Sequence, residues 1–477
     1  GALMQTYKTY IGGSWVETDK LLDVTEKYTN EVFAKVPLCD TKEVDTAVSA
    51  AQDAFESFRK TPAYERSQIL DKAANLILKR KDEIAAVICK EAGKAWKYSL
   101  GEVIRGYETF KFASCEAIRI HGETVPLDAS ASGTNRVGYY IRVPMGVIAA
   151  ITPFNFPLNL VAHKVAPAIA SGNTIVLKPA STTPVTALIL AEILEEAGLP
   201  KGVFNVVIGS GSSIGDYLVS HPMVKKVTFT GSPAVGDSII RKAGIKRVTL
   251  ELGNNSATII EKDAIIDKAI PRCIASAFSN SGQVCISLQR IYVHKDIADE
   301  FSQKFKQATQ ALKVGNPLDQ DTELGPMIDG KEALRAKSWI DEAVSQGATL
   351  VCGGKVEGRT LYPTVLKNTT KDMKVMCMEV FAPIVSIVEY NNFEEAIKHV
   401  NDSDYGLQAG IYTNDIRKIH YAIDNLDVGG VMINDTSIFR VDNMPYGGNK
   451  LSGIGREGVR FAINEMTNIK MVMINLN

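Results

Sequence analysis

The chain has 477 residues, which is long enough for two or three domains with separate hydrophobic cores. Its 45% apolar and 22% charged residues are ordinary for a globular enzyme, and a net charge of −1 gives no electrostatic case for a nucleic-acid or membrane partner. Seven scattered cysteines without a CxxC pair argue against a disulfide framework, and no metal site is predicted. Without a long apolar run or a secretory leader pattern, the expected location is the cytoplasm.

The first predicted elements are helices. From Lys42 to about Ser114, Ala, Leu and Ile recur at three- and four-residue spacings among Lys and Glu. The next stretch, TVPLDASASGTNRVGYYIRVPMG, has turn residues between short alternating segments and predicts a β-hairpin.

Two series of alternating strands and helices follow. The first runs from Val147 to Glu251 and predicts a parallel, doubly wound sheet. The second begins after Cys285 with RIYVHK, so two α/β domains are predicted to join near Leu252–Gly253. The chain ends in an apolar strand, which we expect to be unpaired and therefore available to another subunit.

Three residues are candidates for catalysis. Cys285 lies in the polar stretch FSNSGQVCIS, although a free cysteine is more often a small buried hydrophobe. Asn155 stands between two prolines, where a rigid amide can donate to an oxyanion or simply bond its own turn. Glu251 ends a predicted strand, where it can serve as a general base or pair with a neighbouring cation.

Two further features fit a cofactor. Gly231 and Gly236 lie where a strand passes into a helix, a place for phosphate, but a plain turn also needs glycine. Lys178 ends a predicted parallel strand, the edge at which open α/β sheets bind ligands, although a solvated lysine is the commoner case. All of these candidates follow one another at domain edges, and this order is more informative than any single residue.

Seven motifs together resemble the NAD(P)-dependent aldehyde dehydrogenase superfamily over nearly the whole chain: ITPFNFPLNL, VLKPAS, FTGSPAVG, LELGNNSA, GQVCIS, EVFAPI and MPYGGNKLSGIGREG. The resemblance implies an α/β fold with two doubly wound parallel-sheet domains, a Rossmann-like cofactor domain and a catalytic domain, and a small β oligomerisation extension. The implied segments are 1–120 and 142–252 for NAD(P) binding, 253–445 for catalysis, and 121–141 with 446–477 for the oligomerisation hairpin and C-terminal strand. A homodimer or homotetramer is expected.

The resemblance also implies roles for single residues. Cys285 matches the nucleophile that forms a thiohemiacetal and then a thioester, Asn155 the oxyanion donor and Glu251 the base that activates water. NAD or NADP is the implied cofactor, and the matching residues are Thr152, Pro153, Phe154, Lys178, Ser181, Gly209, Thr230, Gly231, Ser232, Gly236, Leu252, Glu379 and Phe381. Because Ser181 stands where NAD-preferring members often have Glu, we expect room for the 2′-phosphate of NADP. Asn254 replaces a usual Gly, which predicts a stiffer loop after Glu251.

The substrate is predicted to be a short polar aldehyde, with lactaldehyde as the leading candidate. Succinate semialdehyde and a phospho- or sulfo-aldehyde are the alternatives, and the side chains that could face a polar tail are Arg105, His163 and Arg440. A rival from another class is a cysteine acyltransferase or hydrolase that pairs Cys285 with His163 or His294.

Overall fold

A computed structural model describes residues 4–477. Its amino-terminal part is a small β-structure that the sequence patterns did not reveal. One three-stranded sheet and one hairpin form it, at Gln5–Thr6, Val32–Leu38 and Lys20–Thr25, and at Thr9–Ile11 and Ser14–Val16. The predicted helical region follows as four helices, Thr41–Phe58, Ala63–Lys79, Lys81–Ala92 and Trp96–Ala117.

The first large sheet has six strands, all parallel except the last. In spatial order they are Phe204–Val206, Thr174–Lys178, Val147–Ile151, Val224–Thr230, Arg247–Glu251 and Gly453–Ile454. Val147–Ile151 and Thr174–Lys178 are buried at every residue and Val224–Thr230 at all but one, as expected for parallel strands covered on both faces. The helices of this part are Asn159–Ala170, Val185–Glu196, Asp216–Ser220 and Pro233–Ala243.

The second large sheet has seven strands, of which the first is antiparallel. Their order is Thr349–Cys352, Thr364–Lys367, Ile384–Tyr390, Arg290–His294, Ala257–Ile260, Gln408–Tyr412 and Gly430–Ile433. The helices of this part are Ile266–Phe278, Ala298–Gln310, Gly330–Ser345, Lys374–Cys377, Phe393–Asn401 and Ile416–Asn425. Two doubly wound sheets with helices between their strands confirm the predicted fold class.

The carboxyl-terminal segment corrects one expectation. The strand Thr467–Asn475 is not unpaired, because it runs antiparallel to Arg136–Pro144 over nine residue pairs. Thr124–Val125 completes this three-stranded sheet, and the outer edge of the terminal strand is left free. Moreover, residues 446–477 also supply Gly453–Ile454 to the first sheet and the helix Val459–Glu465, so this segment does more than extend a hairpin. The exact domain boundaries remain a prediction.

Two short pairings complete the strands, Val356–Glu357 with Thr360–Leu361 and Tyr405–Gly406 with Asn449–Lys450. Within residues 4–477, no helix combines the length and the apolar character that crossing a membrane requires.

Candidate active site

Two cavities meet at Cys285. One has a volume of about 500 Å³ and the other of about 350 Å³, and Cys285 and Asn155 line both. These two side chains therefore stand on the wall between two separate binding spaces. A thiol and an amide in this position can act on a molecule in one space while a second molecule occupies the other.

The loop before Cys285 is held in an uncommon backbone conformation. Asn280, Ser281 and Gly282 all have positive φ, at 51°, 55° and 70°. At Gly282 a Cβ would lie 2.0 Å from the carbonyl oxygen of Ala382, so a larger residue does not fit. The Ser281 hydroxyl donates to Gly325 O at 2.6 Å, which helps to hold the loop. Positive φ at non-glycine residues is typical of places where the surrounding structure imposes a geometry for function.

The Asn155 side chain is buried without a hydrogen-bond partner. It is 1% exposed, and neither its amide nitrogen nor its amide oxygen has a partner in the described chain. A buried amide without a partner costs free energy on the order of 1–3 kcal/mol unless a ligand completes it. Since Asn155 lines both cavities beside Cys285, this donor is available to an oxygen that becomes negative during the reaction.

Glu251 is the last residue of the strand Arg247–Glu251 and is 2% exposed. Both of its carboxylate oxygens lack partners, and the cavity walls include Leu252 rather than Glu251 itself. Burial, and then the nearby carboxylate of Glu457, raise the pKa of Glu251 well above its usual range. An unpaired carboxylate of raised pKa near a thiol is typical of a general base.

The smaller cavity contains most of the residues predicted to hold a cofactor. Those on its wall are Pro153, Phe154, Thr230, Gly231, Ser232, Leu252, Glu379 and Phe381. Ser232 begins the helix Pro233–Ala243, and its hydroxyl accepts the Val235 N–H at 3.3 Å. A Cβ at Gly236 would lie 2.6 Å from Leu252 Cδ2, so this glycine lets the helix approach the strand end.

Glu379 is one of these residues, and its carboxylate reaches the loop after Glu251. Glu379 Oε2 accepts the Asn254 N–H at 2.8 Å, and a Cβ on Gly253 would lie 3.0 Å from Oε1. Burial raises the pKa of Glu379 to about 8. The Asn254 side chain also donates to Ser256 Oγ, and both contacts restrain this loop.

Lys178, Ser181 and Gly209 lie together at the end of the first sheet. Burial lowers the pKa of Lys178 to about 8, and its ammonium has no hydrogen-bond partner among residues 4–477. The Ser181 hydroxyl donates to Gly209 O at 2.9 Å. At Gly209 a Cβ would lie 2.8 Å from Ile214 Cδ1, so the turn needs glycine. Thr152 is buried nearby, where its N–H donates to Lys178 O at 3.2 Å and its hydroxyl has no partner.

The larger cavity has five cationic side chains on its wall, and a carboxylate pairs with each of them. The cations are Lys94, Lys97, Arg105, Arg272 and Arg440, and their partners in the same order are Glu102, Glu323, Asp442, Asp435 and Glu457. Of these carboxylates, only Glu102 lines the cavity itself. Apolar side chains next to the thiol narrow it, and they include Phe156, Val284, Ile286 and Tyr446. Of the five cations, the sequence patterns identified only Arg105 and Arg440, because the other three lie in segments without a recognisable motif.

Arg105 and His163 share a buried carboxylate, Asp442. Arg105 Nη2 donates to Asp442 Oδ1 at 3.0 Å, and His163 Nε2 lies 2.8 Å from the same oxygen. Arg105 is 30% exposed and lines the cavity, whereas His163 is fully buried and lines neither cavity. His163 therefore does not face the substrate as expected, because its contact with Asp442 holds the ring outside both cavities. Burial also lowers the pKa of His163.

Arg440 lines the same cavity, but its side chain is almost fully buried. Nη2 donates to Glu457 Oε1 at 3.0 Å, and the other oxygen of Glu457 accepts from Lys164 Nζ at 2.8 Å. Burial would raise the pKa of Glu457, but the cations Lys164 and Arg440 bring it to about 2. Both Glu457 and Tyr446 lie within MPYGGNKLSGIGREG, so their motif was recognised although their contacts were not.

The geometry fits a dinucleotide and does not fit a cysteine–histidine enzyme. The unpartnered amide of Asn155 lines the smaller cavity together with the turn at Gly231, so this donor is free for a ligand. By contrast, no histidine of residues 4–477 lines either cavity, which leaves Cys285 without the imidazole that a hydrolase of that kind requires.

Comparisons with known proteins agree with this geometry. Residues 15–472 match the aldehyde dehydrogenase family. The chain is 48% identical to the 3-sulfolactaldehyde dehydrogenase of Priestia megaterium over 99% of both chains. It is 43% identical to the lactaldehyde dehydrogenase of Methanococcus aeolicus, over 98% of this chain and 99% of that one. Aldehyde dehydrogenase 21 from Physcomitrella patens, solved with its reaction product succinate, is 42% identical and superposes with a TM-score of 0.98 over 100% and 99% of the two chains.

These matches span the whole chain at identities far above those that show only a shared fold. They confirm the predicted resemblance, the enzyme class and the predicted cofactor, NAD or NADP. The chain belongs to the aldehyde dehydrogenase family and is an NAD(P)-dependent aldehyde dehydrogenase.

Proposed function

We propose that the enzyme oxidises a three-carbon 2-hydroxyaldehyde that carries an anionic group, sulfonate or phosphate, on C3. The observation that carries this proposal is the wall of the larger cavity, which five cations line, whereas four of the five carboxylates that pair with them do not line it. Relatives that act on 3-sulfolactaldehyde and on lactaldehyde share the three-carbon 2-hydroxyaldehyde skeleton. The cationic wall favours the anionic member over neutral lactaldehyde, which stays the uncharged alternative.

Arg105 is the side chain that we propose for the anionic group. Its guanidinium is anchored by Asp442 and remains 30% exposed, so it is fixed in direction and still open to the cavity. A planar guanidinium suits sulfonate and phosphate oxygens because it can donate two parallel hydrogen bonds. Lys97 and Arg272, 48% and 43% exposed on the same wall, add positive charge that their ion pairs with Glu323 and Asp435 partly offset.

The proposed reaction begins at Cys285. Its thiolate attacks the aldehyde carbon, and the oxygen that becomes negative is held by the Asn155 side-chain amide and the Cys285 N–H. A bound nicotinamide in its oxidised form would supply the acceptor for the hydride, that is, for the hydrogen and electron pair of the C–H bond at the thiohemiacetal carbon. This loss of hydride leaves a thioester on Cys285.

Glu251 is proposed to complete the cycle. Its carboxylate removes a proton from water, the hydroxide adds to the thioester carbon, and the C–S bond breaks to release the carboxylic acid and the thiolate. Because its pKa is raised, Glu251 acts as a base only where the pH exceeds that value, so acylated enzyme accumulates as the pH falls.

We also propose residues for the cofactor. The adenosine half would be held by Lys178, Ser181 and Gly209. The nicotinamide half would be held by Thr152, Pro153, Phe154, Thr230, Gly231, Ser232, Gly236, Leu252, Glu379 and Phe381. The small Ser181 beside the unpaired Lys178 supports acceptance of NADP alongside NAD. The free edge of Thr467–Asn475, with exposed Ile469 and Met471, supports a homodimer or homotetramer.

A substrate panel tests the proposal. We expect kcat/KM for 3-sulfolactaldehyde or glyceraldehyde 3-phosphate to exceed that for lactaldehyde by about tenfold or more, as one charged hydrogen bond would give. Succinate semialdehyde serves as an anionic control without the 2-hydroxyl group. A preference for lactaldehyde over both anionic three-carbon substrates would contradict the proposal.

A further inference from the structure

Arg440 and Cys285 both lie beside the aromatic ring of Tyr446. The guanidinium carbon of Arg440 is 3.7 Å from the centre of this ring, and Tyr446 packs in the same apolar cluster as Cys285. All three residues line the larger cavity. The positive charge of Arg440 is thus held on the wall of the cavity that Cys285 also lines.

The contacts of Arg440 differ from those of Arg105. Arg105 keeps 30% of its side chain exposed, whereas Arg440 keeps 6% and its Nε is buried without a partner. The carboxylate that holds Arg440, Glu457, is shared with Lys164. Arg440 is therefore built into a buried row of charges that runs from Lys164 through Glu457 to the cavity wall.

The charged groups that face Cys285 come from several segments. The carboxylates are Glu379, Glu251 and Glu457, and Arg440 is the cation that opposes them. Burial, Glu379 and Glu251 raise the pKa of the Cys285 thiol, and Arg440 acts in the opposite direction. Without a cation here, three carboxylates and an apolar wall would disfavour the thiolate that the reaction needs.

We infer that Arg440 is a positioning residue that supplies the positive charge which stabilises the Cys285 thiolate, and that Glu457 moderates this charge. The inference rests on the proposed role of Cys285 as nucleophile. It gives Arg105 and Arg440 different roles, because Arg105 is proposed to recognise the substrate and Arg440 to stabilise the thiolate. It also predicts opposite effects for Arg440 and Glu457, since removing a cation and removing an anion change the local potential in opposite directions.

The test is the pH dependence of alkylation of the cofactor-free enzyme by iodoacetamide, an uncharged reagent. Arg440→Met should raise the midpoint pH by about one unit, so that alkylation at a pH below both midpoints is about tenfold slower. Arg440→Lys should restore most of the wild-type midpoint. Glu457→Gln should lower the midpoint, and this opposite sign is not expected from damage to packing.

Controls separate this inference from the proposed function. Loss of the label in Cys285→Ala, read by mass spectrometry, identifies Cys285 as the alkylated thiol. A wild-type enzyme that is not alkylated at Cys285 would overturn both the inference and the proposed function. Arg105→Met is the matched control and should leave the iodoacetamide midpoint in place. An unmoved midpoint in Arg440→Met, or movement of Arg440→Met and Glu457→Gln in the same direction, would overturn the inference. If Arg440→Met does not fold, as judged by thermal unfolding, Glu457→Gln and Arg440→Lys decide by the same criteria.

Discussion

The two cavities that meet at Cys285 are built in different ways. The smaller is lined by several separate segments, which include residues 153–155, the turn at 230–232 and the helix residues Glu332, Arg335 and Trp339. The larger is lined by charged side chains that carboxylates from distant segments hold, such as Arg105 by Asp442. The comparison teaches that short local motifs mark part of the first cavity, whereas the charges of the second depend on long-range ion pairs.

The largest expected effect is at the wall that both cavities share. Cys285→Ser should reduce kcat by at least about 10⁴-fold, since loss of a covalent nucleophile leaves only the binding and oxyanion contributions. The affinity for NADPH, measured by fluorescence titration, should change less than about threefold, because the sulfur lies at the edge of that cavity. Turnover above roughly one-hundredth of the wild-type value would contradict covalent catalysis.

The next effect distinguishes the oxyanion donor from the rest of the wall. Asn155→Ala should lower kcat by about 10²–10³-fold, the usual result of removing one such donor. The KM for an uncharged aldehyde should move little, because the contact strengthens only as the oxygen becomes negative. Asn155→Gln keeps the amide but displaces it, and it should be similarly slow in steady-state assays. A loss in kcat below about tenfold for Asn155→Ala would remove this residue from the oxyanion site.

A smaller effect tests the proposed adenosine site at Lys178, Ser181 and Gly209. Ser181→Glu should lower kcat/KM for NADP by about tenfold or more, since a carboxylate would face the 2′-phosphate, while the value for NAD falls little. Ser181→Ala is the matched control without added charge. Steady-state kinetics with both cofactors and one aldehyde measure the ratio. If Ser181→Glu reduced use of NAD and NADP equally, the proposed position of the 2′-phosphate would be wrong.

The same contrast explains how much the sequence revealed. The strands Val147–Ile151 and Thr174–Lys178 were predicted because buried parallel strands read as short, mainly apolar runs. The short amino-terminal strands were missed because strands of two to seven residues with mixed polarity have no such signature. Likewise, the terminal strand was expected to be unpaired because its partner, Arg136–Pro144, lies more than three hundred residues away along the chain.

The site shows the same division. Cys285, Asn155 and the glycine turn lie in recognisable local motifs, and the structure brings them to the walls of the two cavities. His163 was placed wrongly because only the fold reveals that its ring is hydrogen-bonded to Asp442. Lys94, Lys97 and Arg272 were not found because each lies in a segment without a recognisable motif, a loop for Lys94 and helices for the other two.

The most direct measurement is the preference for an anionic over a neutral three-carbon aldehyde before and after loss of Arg105. The ratio of kcat/KM for 3-sulfolactaldehyde to that for lactaldehyde should fall by about 10- to 100-fold in Arg105→Met, as expected for a charged hydrogen bond worth about 1.5–3 kcal/mol. Arg105→Lys should recover part of the ratio. An equal loss of kcat/KM on both aldehydes would contradict the assignment of the cationic wall to substrate recognition.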